Sequence, residues 1–155
     1  MIDDAIRIRK AGRLDLPDIL GLYAQPDLDD GNVLSFQAAE CIFLRFSNYP
    51  EYSLYVAERN GRVVGSFALL IMENLAHLGA PSAIVEDVAV DATLHGQGIG
   101  RAMMDFAADE ARKKRCYKLM LSSNAKRERA HAFYESLNFE RHGYSFRLAL
   151  EEVCA

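Results

Sequence analysis

The stretch "HGQGIG", residues 95–100, puts glycines at 96, 98 and 100, directly after the apolar run "AIVEDVAV" and directly before residues spaced as one helical face. A strand, a glycine turn and a helix N-terminus in that order offer unpaired backbone N–H groups and the positive end of a helix dipole, which together suit phosphate. Glycine removes the Cβ that would hold an anion off the backbone. The spacing G-x-G-x-G is neither the dinucleotide G-x-G-x-x-G nor G-x-x-x-x-G-K-[ST]. Such glycines also serve a tight turn and close helix packing, and their spacing alone does not separate the two uses. Just upstream, Glu86 and Asp87 interrupt the apolar run. Desolvation there raises a carboxylate pKa toward the range of a useful general base. The bland alternative is a carboxylate that ends a hydrogen-bond network or pairs with a buried arginine.

These residues need elements to hold them. "AIRIRKA" alternates as a first strand, and "DLPDILGLYA" has the period of a short helix begun by Asp15 with Pro17 in its first turn. The acidic loop "PDLDDGN", residues 26–32, is followed by a helix from about Leu34 to Phe46 and a break at "SNYPEY". Two strands then meet at Asn60-Gly61, the dipeptide suited to a type I′ turn. "AIVEDVAV" reads as a central strand, and strict alternation puts Glu86 with Ile84, Val88 and Val90 and Asp87 on the other face, unless a bulge shifts the parity. From Ile99 a helix buries Ala102, Met103, Phe106 and Ala107. "CYKLMLS" predicts a strand, "AKRERAHAFYESL" a helix, and "RHGYSFRLAL" a bend and a last strand. The order β-α-α-β-β-β-α-β-α-β describes one mixed α+β domain over residues 1–155, with helices on both faces of the sheet.

Composition bounds the function. Half of the 155 residues are hydrophobic, enough for one buried core. With 22 acidic against 18 basic residues the net field is mildly negative, which disfavours a nucleic-acid partner. There is no apolar run of about 18 residues and no secretory h-region, so a cytoplasmic protein away from membranes is expected. Cys41, Cys116 and Cys154 are odd in number and lack ligand spacing, which indicates neither a disulfide framework nor a metal site.

"VEDVAVDATLHGQGIGRAMM" and "LMLSSNAKRERAHAFYESLNF" together resemble the two motif segments of the GNAT N-acetyltransferases, over roughly residues 82–142. The resemblance implies a mostly antiparallel central sheet with helices on both faces and a splayed pair of parallel strands. It implies acetyl-CoA as co-substrate, with its pyrophosphate at His95, Gly96, Gln97, Gly98, Ile99, Gly100 and Arg101, and with Asn124 and Phe133 as further contacts. His95 stands where Arg or Gln is usual, Asn138 where Gly is usual, and Arg127 where many members carry an Asn that touches the cofactor. Backbone N–H groups at Val88, Ala89 and Val90 are implied to serve the oxyanion and pantetheine. Lys126, Arg127 and Arg129 are candidates for the 3′-phosphate, although such a run also suits a solvated helix face. His131, one turn before Tyr134, is either a site residue or an ordinary hydrogen-bonded histidine.

Acetyl transfer to an amine needs a base for the amine proton, donors for the developing oxyanion and an acid for the departing thiolate. The resemblance assigns Glu86 as base, directly or through water, and Tyr134 as acid. The tail "NAKRERAHAFYESLNF" is most similar to the small-amine branch, near aminoalkylphosphonate and glucosamine-phosphate acetyltransferases. The expected reaction is therefore direct attack by a small primary amine in a ternary complex, and the resemblance also allows a homodimer. A protein or peptide N-acetyltransferase and a non-catalytic acyl-CoA-binding domain are the alternatives. Asp27, Asp29 and Asp30 in "PDLDDGN" would favour cationic acceptors if that loop borders the acceptor pocket; otherwise they serve turn geometry.

Overall fold

The tetrapeptide "RIRK" forms β1 (Arg7–Lys10), which runs antiparallel to β2 (Tyr52–Arg59). This computed structural model describes residues 4–150. Asn60 and Gly61 take φ of 53° and 72° and turn β2 into β3 (Arg62–Met72), as that dipeptide predicts. β4 (Ser82–Val90) lies antiparallel to β3, and β5 (Leu119–Met120) lies parallel to β4, so the strand order follows the chain. The sheet is therefore mixed and mostly antiparallel. The parallel pair is short: only Ala83 with Leu119 and Ile84 with Met120 are in register. Among the described residues no strand pairs with β4 on that side from Val85 onward, which is the splay expected of these two strands.

The faces follow from strand parity. On one face Leu54, Val56 and Ala68 pack with Ile19 of α1 (Leu16–Tyr23), and Phe43 and Phe46 from α2 (Phe36–Arg45) and its C-terminal turn join them. Ser35 caps α2 by accepting from the Ala38 N–H at 3.2 Å. On the other face Tyr55 and Phe67 stack at 5.3 Å and meet Phe106 of α3 (Ile99–Lys113). Met103 and Ile99 press so closely that a Cβ on Gly65 would stand 2.7 Å from the Met103 sulfur, so that glycine sets how near α3 approaches β3.

Asp15 begins α1 with Pro17 in the first turn, as read from the sequence, but its carboxylate turns back to the Gly12 N–H at 2.7 Å and to Arg9 at 2.7 and 2.9 Å. Arg9 also holds Glu58, so one guanidinium ties β1, β2 and the entry to α1, and it keeps the Asp15 carboxyl below its ordinary pKa.

The described residues divide into two compact units between Leu121 and Ser122. In the second, α4 (Glu128–Ser136) follows a turn built on Asn124. Two expectations are corrected. The strand predicted from "CYKLMLS" shrinks to Leu119–Met120, and "RHGYSFRLAL", residues 141–150, forms no strand. Both segments have strand-like alternation, but a strand exists only where a neighbour completes its hydrogen bonds, and that is not encoded in its own residues. Cys41 and Cys116 are free thiols; Cys154 lies outside the described residues.

Candidate active site

Register decides what β4 presents. Ala68 pairs with Glu86 and Ser66 with Ala89, so two residues of β4, Asp87 and Val88, stand opposite the single residue Phe67. This is a β-bulge, with Asp87 at φ 52°. The bulge overrides the strict alternation: Glu86 stays on the face of Ala68, Ala89 joins it, and Glu86 and Asp87 are both exposed although their neighbours Val85 and Ala89 are buried. A bulge also leaves backbone groups out of the ladder, here beside the open side of the splay.

Among the described residues no cation is paired with either carboxylate. Burial against the sheet raises the Glu86 pKa first, and the charge of Asp87 raises it further, even though Glu86 keeps one side to solvent. Asp87 is raised by burial and then by Asp29. Asp87 and Asp29 also act on Tyr23, whose phenol is pushed up to about 12, mainly by burial. Tyr52 is raised by burial and by both β4 carboxylates. Tyr52 continues into an aromatic chain, with Phe46 at 4.8 Å and Tyr49 at 6.1 Å. Of the three loop aspartates, Asp27 and Asp30 occupy left-handed turn positions, at φ 74° and 49°. Asp29 is the one whose charge reaches Asp87 and Tyr23. The "PDLDDGN" loop thus divides its carboxylates between turn geometry and the site.

The glycine turn follows at the end of β4. Gly96 and Gly98 take φ of 79° and 82°, and a Cβ built on either meets no atom within 4 Å. Gly98 is the N-cap of α3 and has no side chain to satisfy the N–H groups of the first turn, Ile99, Gly100 and Arg101. Open space therefore adjoins the turn at both positions, and the first-turn donors have no side-chain cap. Gly100 sits within the helix, so its role differs from that of the other two. His95 and Arg101 are exposed, and the His95 ring lies 3.3 Å from the Val90 carbonyl.

Two positioning residues were not singled out from the sequence. Gln25, just past α1, donates to the carbonyls of Leu22 (2.9 Å) and Val90 (3.0 Å) and accepts from the Ala92 N–H (2.7 Å), pinning the end of β4 to α1. Arg59 donates to Gln97 Oε1 at 2.7 Å and to Asp4 at 2.6 Å, which holds the glycine turn against the hairpin. No local pattern marks either, since their partners lie 65 and 38 residues away.

In the second unit, Tyr134 is partly buried between Phe133 (5.1 Å) and Phe139 (5.7 Å), and burial raises its pKa against the lowering effect of Arg127. The phenol therefore keeps its proton at neutral pH. Asn124 uses Oδ1 to accept the Lys126 N–H at 3.0 Å, and its carbonyl lies 2.9 Å from the His131 ring, so His131 is hydrogen-bonded as its bland reading expects. Beside it, the Ser123 hydroxyl is buried without a hydrogen-bond partner among the described residues. Lys126, Arg127 and Arg129 are exposed. Asn138, at φ 66°, ends α4 in the left-handed conformation that a glycine would otherwise supply.

Comparison with known proteins identifies the family. The family model "Acetyltransferase (GNAT) family" matches residues 18–139. Glucosamine 6-phosphate N-acetyltransferase of Trypanosoma brucei brucei is 35% identical over 97 residues, 63% of this chain and 64% of that enzyme, so the match spans just under two thirds of the relative's length. Aminoalkylphosphonate N-acetyltransferase of Salmonella typhimurium is 33% identical over 119 residues, 77% of each chain. A solved putative acetyltransferase from Agrobacterium tumefaciens superposes with a TM-score of 0.85 at 33% identity, covering 93% of this chain and 99% of that one. By the family-model match over residues 18–139 and the 33% identity to a relative covered over 77% of each chain, the chain belongs to the GNAT acetyltransferase family.

Proposed function

We propose that residues 1–155 act as one acetyl-CoA-dependent N-acetyltransferase domain for a small primary amine, by direct attack in a ternary complex. The observation that carries this reading is the bulge in β4, which turns two unneutralised carboxylates outward beside the open strand edge and next to a glycine turn able to take phosphate. The turn fits a phosphate-bearing donor, because the first-turn N–H groups of α3 have no side-chain cap and open space adjoins Gly96 and Gly98. Acetyl-CoA supplies the activated acetyl group and a thiolate leaving group. The N–H groups from Gly96 to Arg101 hold the pyrophosphate, with Arg59 steadying the turn through Gln97. Val88, Ala89 and Val90 offer backbone donors to the oxyanion and to the pantetheine amides. Glu86 takes the amine proton, and Tyr134 returns a proton to the thiolate. Asn124, Ser123 and Phe133 are the further candidates for cofactor contact.

The acceptor has two readings. The relatives named for glucosamine 6-phosphate and aminoalkylphosphonate favour an anionic amine. The joint charge of Asp29, Asp87 and Glu86, lined by Tyr23 and Tyr52, favours a cationic one. Thiol release measured over a panel of polyamines, aminoglycosides, amino-sugar phosphates and aminoalkylphosphonates decides between them. Turnover with any of these amines is expected, and none throughout would leave a non-catalytic acyl-CoA-binding domain.

The raised pKa of Glu86 sets the sign of a pH test. Below that pKa the carboxylate is protonated and accepts nothing; above it, while the amine is still an ammonium, the base is needed most. Glu86→Gln is expected to lower kcat/KM by on the order of 10² in that window. The deficit narrows as pH rises and amines deprotonate unaided. Parallel pH–rate profiles for the two proteins would remove Glu86 from proton transfer.

A further inference from the structure

Gln25 stands where two parts of the site meet. Its backbone closes α1 and opens the acidic loop: the Gln25 carbonyl accepts the Leu28 N–H at 3.4 Å, and the carbonyls of Tyr23 and Ala24 accept the Asp29 and Gly31 N–H groups at 3.0 and 2.9 Å. Its side chain reaches the other way, to the end of β4. There Nε2 donates to the Val90 carbonyl at 3.0 Å, and Oε1 accepts the Ala92 N–H at 2.7 Å. The same Val90 carbonyl lies 3.3 Å from the ring of His95, the first residue of the glycine turn. Polar contacts therefore run from loop 26–32 through one amide side chain and one carbonyl to residue 95, all within the unit that ends at Leu121.

Neither end of this path is held by apolar burial. Of residues 26–32 only Leu28 is partly buried, and Asp27, Asp30 and Gly31 sit at φ of 74°, 49° and 85°, so the loop keeps its shape through its backbone bonds to the end of α1. Residues 95–98 are likewise exposed, up to the point where Ile99 enters the core. Segments held this lightly open locally at small cost, and a ligand that orders one lowers the entropy its neighbour must lose. An amide suits the junction because it donates and accepts at once, which neither a carboxylate nor an apolar side chain of that length does.

We infer that Gln25 is a positioning residue that couples the acidic loop to the glycine turn, so that a ligand fixing the turn also fixes the loop. The effect is reciprocal: an amine that orders the loop strengthens the hold on the donor by the same factor. The inference rests on the reading of the turn as the cofactor site. It adds to that reading a route by which the loop bearing Asp29 senses an occupied turn. Because the route passes through backbone groups at Val90 and Ala92, it needs no movement of Glu86 or Asp87.

Amide hydrogen exchange with coenzyme A as the probe tests the coupling without any acceptor. In wild type, saturating coenzyme A is expected to slow exchange at residues 96–101 and, by about fivefold or more, at Leu28, Asp29 and Gly31. Gln25→Met keeps the length of the side chain and loses its hydrogen bonds; it is expected to keep the slowing at the turn and to lose it in the loop. The readout is the ratio of loop exchange with and without coenzyme A, since loosened packing alone shifts both rates together. A wild-type turn that gains no protection overturns the cofactor reading and this coupling with it. Turn protection with none in the loop, or loop protection that survives in Gln25→Met, overturns the coupling alone and leaves the cofactor reading standing. Protection lost at both sites in the variant makes Gln25 part of the grip on the cofactor and also overturns the coupling. Should Gln25→Met not fold, Gln25→Glu is read in the same way, because it still accepts from Ala92 and no longer donates to Val90.

Discussion

Gly98→Val is expected to abolish acetyl-CoA binding. At ligand about a hundredfold above Kd, wild type should gain about 2.7 kcal/mol of stability from acetyl-CoA, and the variant none. Two effects of the substitution have to be told apart. Gly98 sits at φ 82°, so a β-branched residue there also strains the backbone, by about 1–2 kcal/mol, with or without ligand. Gly31 supplies the control, since it has nearly the same φ, 85°, and the same open space around a would-be Cβ, but lies in the acidic loop. Gly31→Val should lose comparable stability and keep the full acetyl-CoA shift. Calorimetry in which Gly98→Val retains wild-type affinity would end the reading of this turn as a phosphate cradle.

Tyr134→Phe separates chemistry from binding. The substitution keeps the ring that packs between Phe133 and Phe139 and removes only the hydroxyl. Burial holds the phenol pKa above its ordinary value, so the wild-type side chain carries its proton throughout the neutral range, as a donor to a thiolate must. The expected loss in kcat is on the order of 10² to 10⁴, with acetyl-CoA affinity changed by no more than a few-fold. The sign with pH follows: in wild type the loss of rate from phenol deprotonation comes only as pH rises above the raised pKa, and in the variant that limb is absent. A kcat equal to wild type at saturating substrates would return Tyr134 to a packing role.

What the sequence determined by itself is what depends on neighbours close in the chain. The Asn60-Gly61 turn, the glycines before α3, the apolar faces of α1, α2 and α3, and the left-handed Asn138 all follow from the φ preferences and periodicities of the residues themselves. The family resemblance was legible for the same reason, since its two motif segments are each contiguous. The tertiary structure decided whatever needed a partner distant in the chain. The bulge at Asp87 exists because β4 spends two residues where β3 spends one, and it sets which carboxylates face outward. Gln25 reaches Val90, Arg59 reaches Gln97, and Asp29 acts on Asp87 across separations that no local pattern records. Residues 141–150 make the same point in reverse: their alternation specifies a strand, but a strand is completed by the backbone beside it, and its own side chains do not supply that backbone.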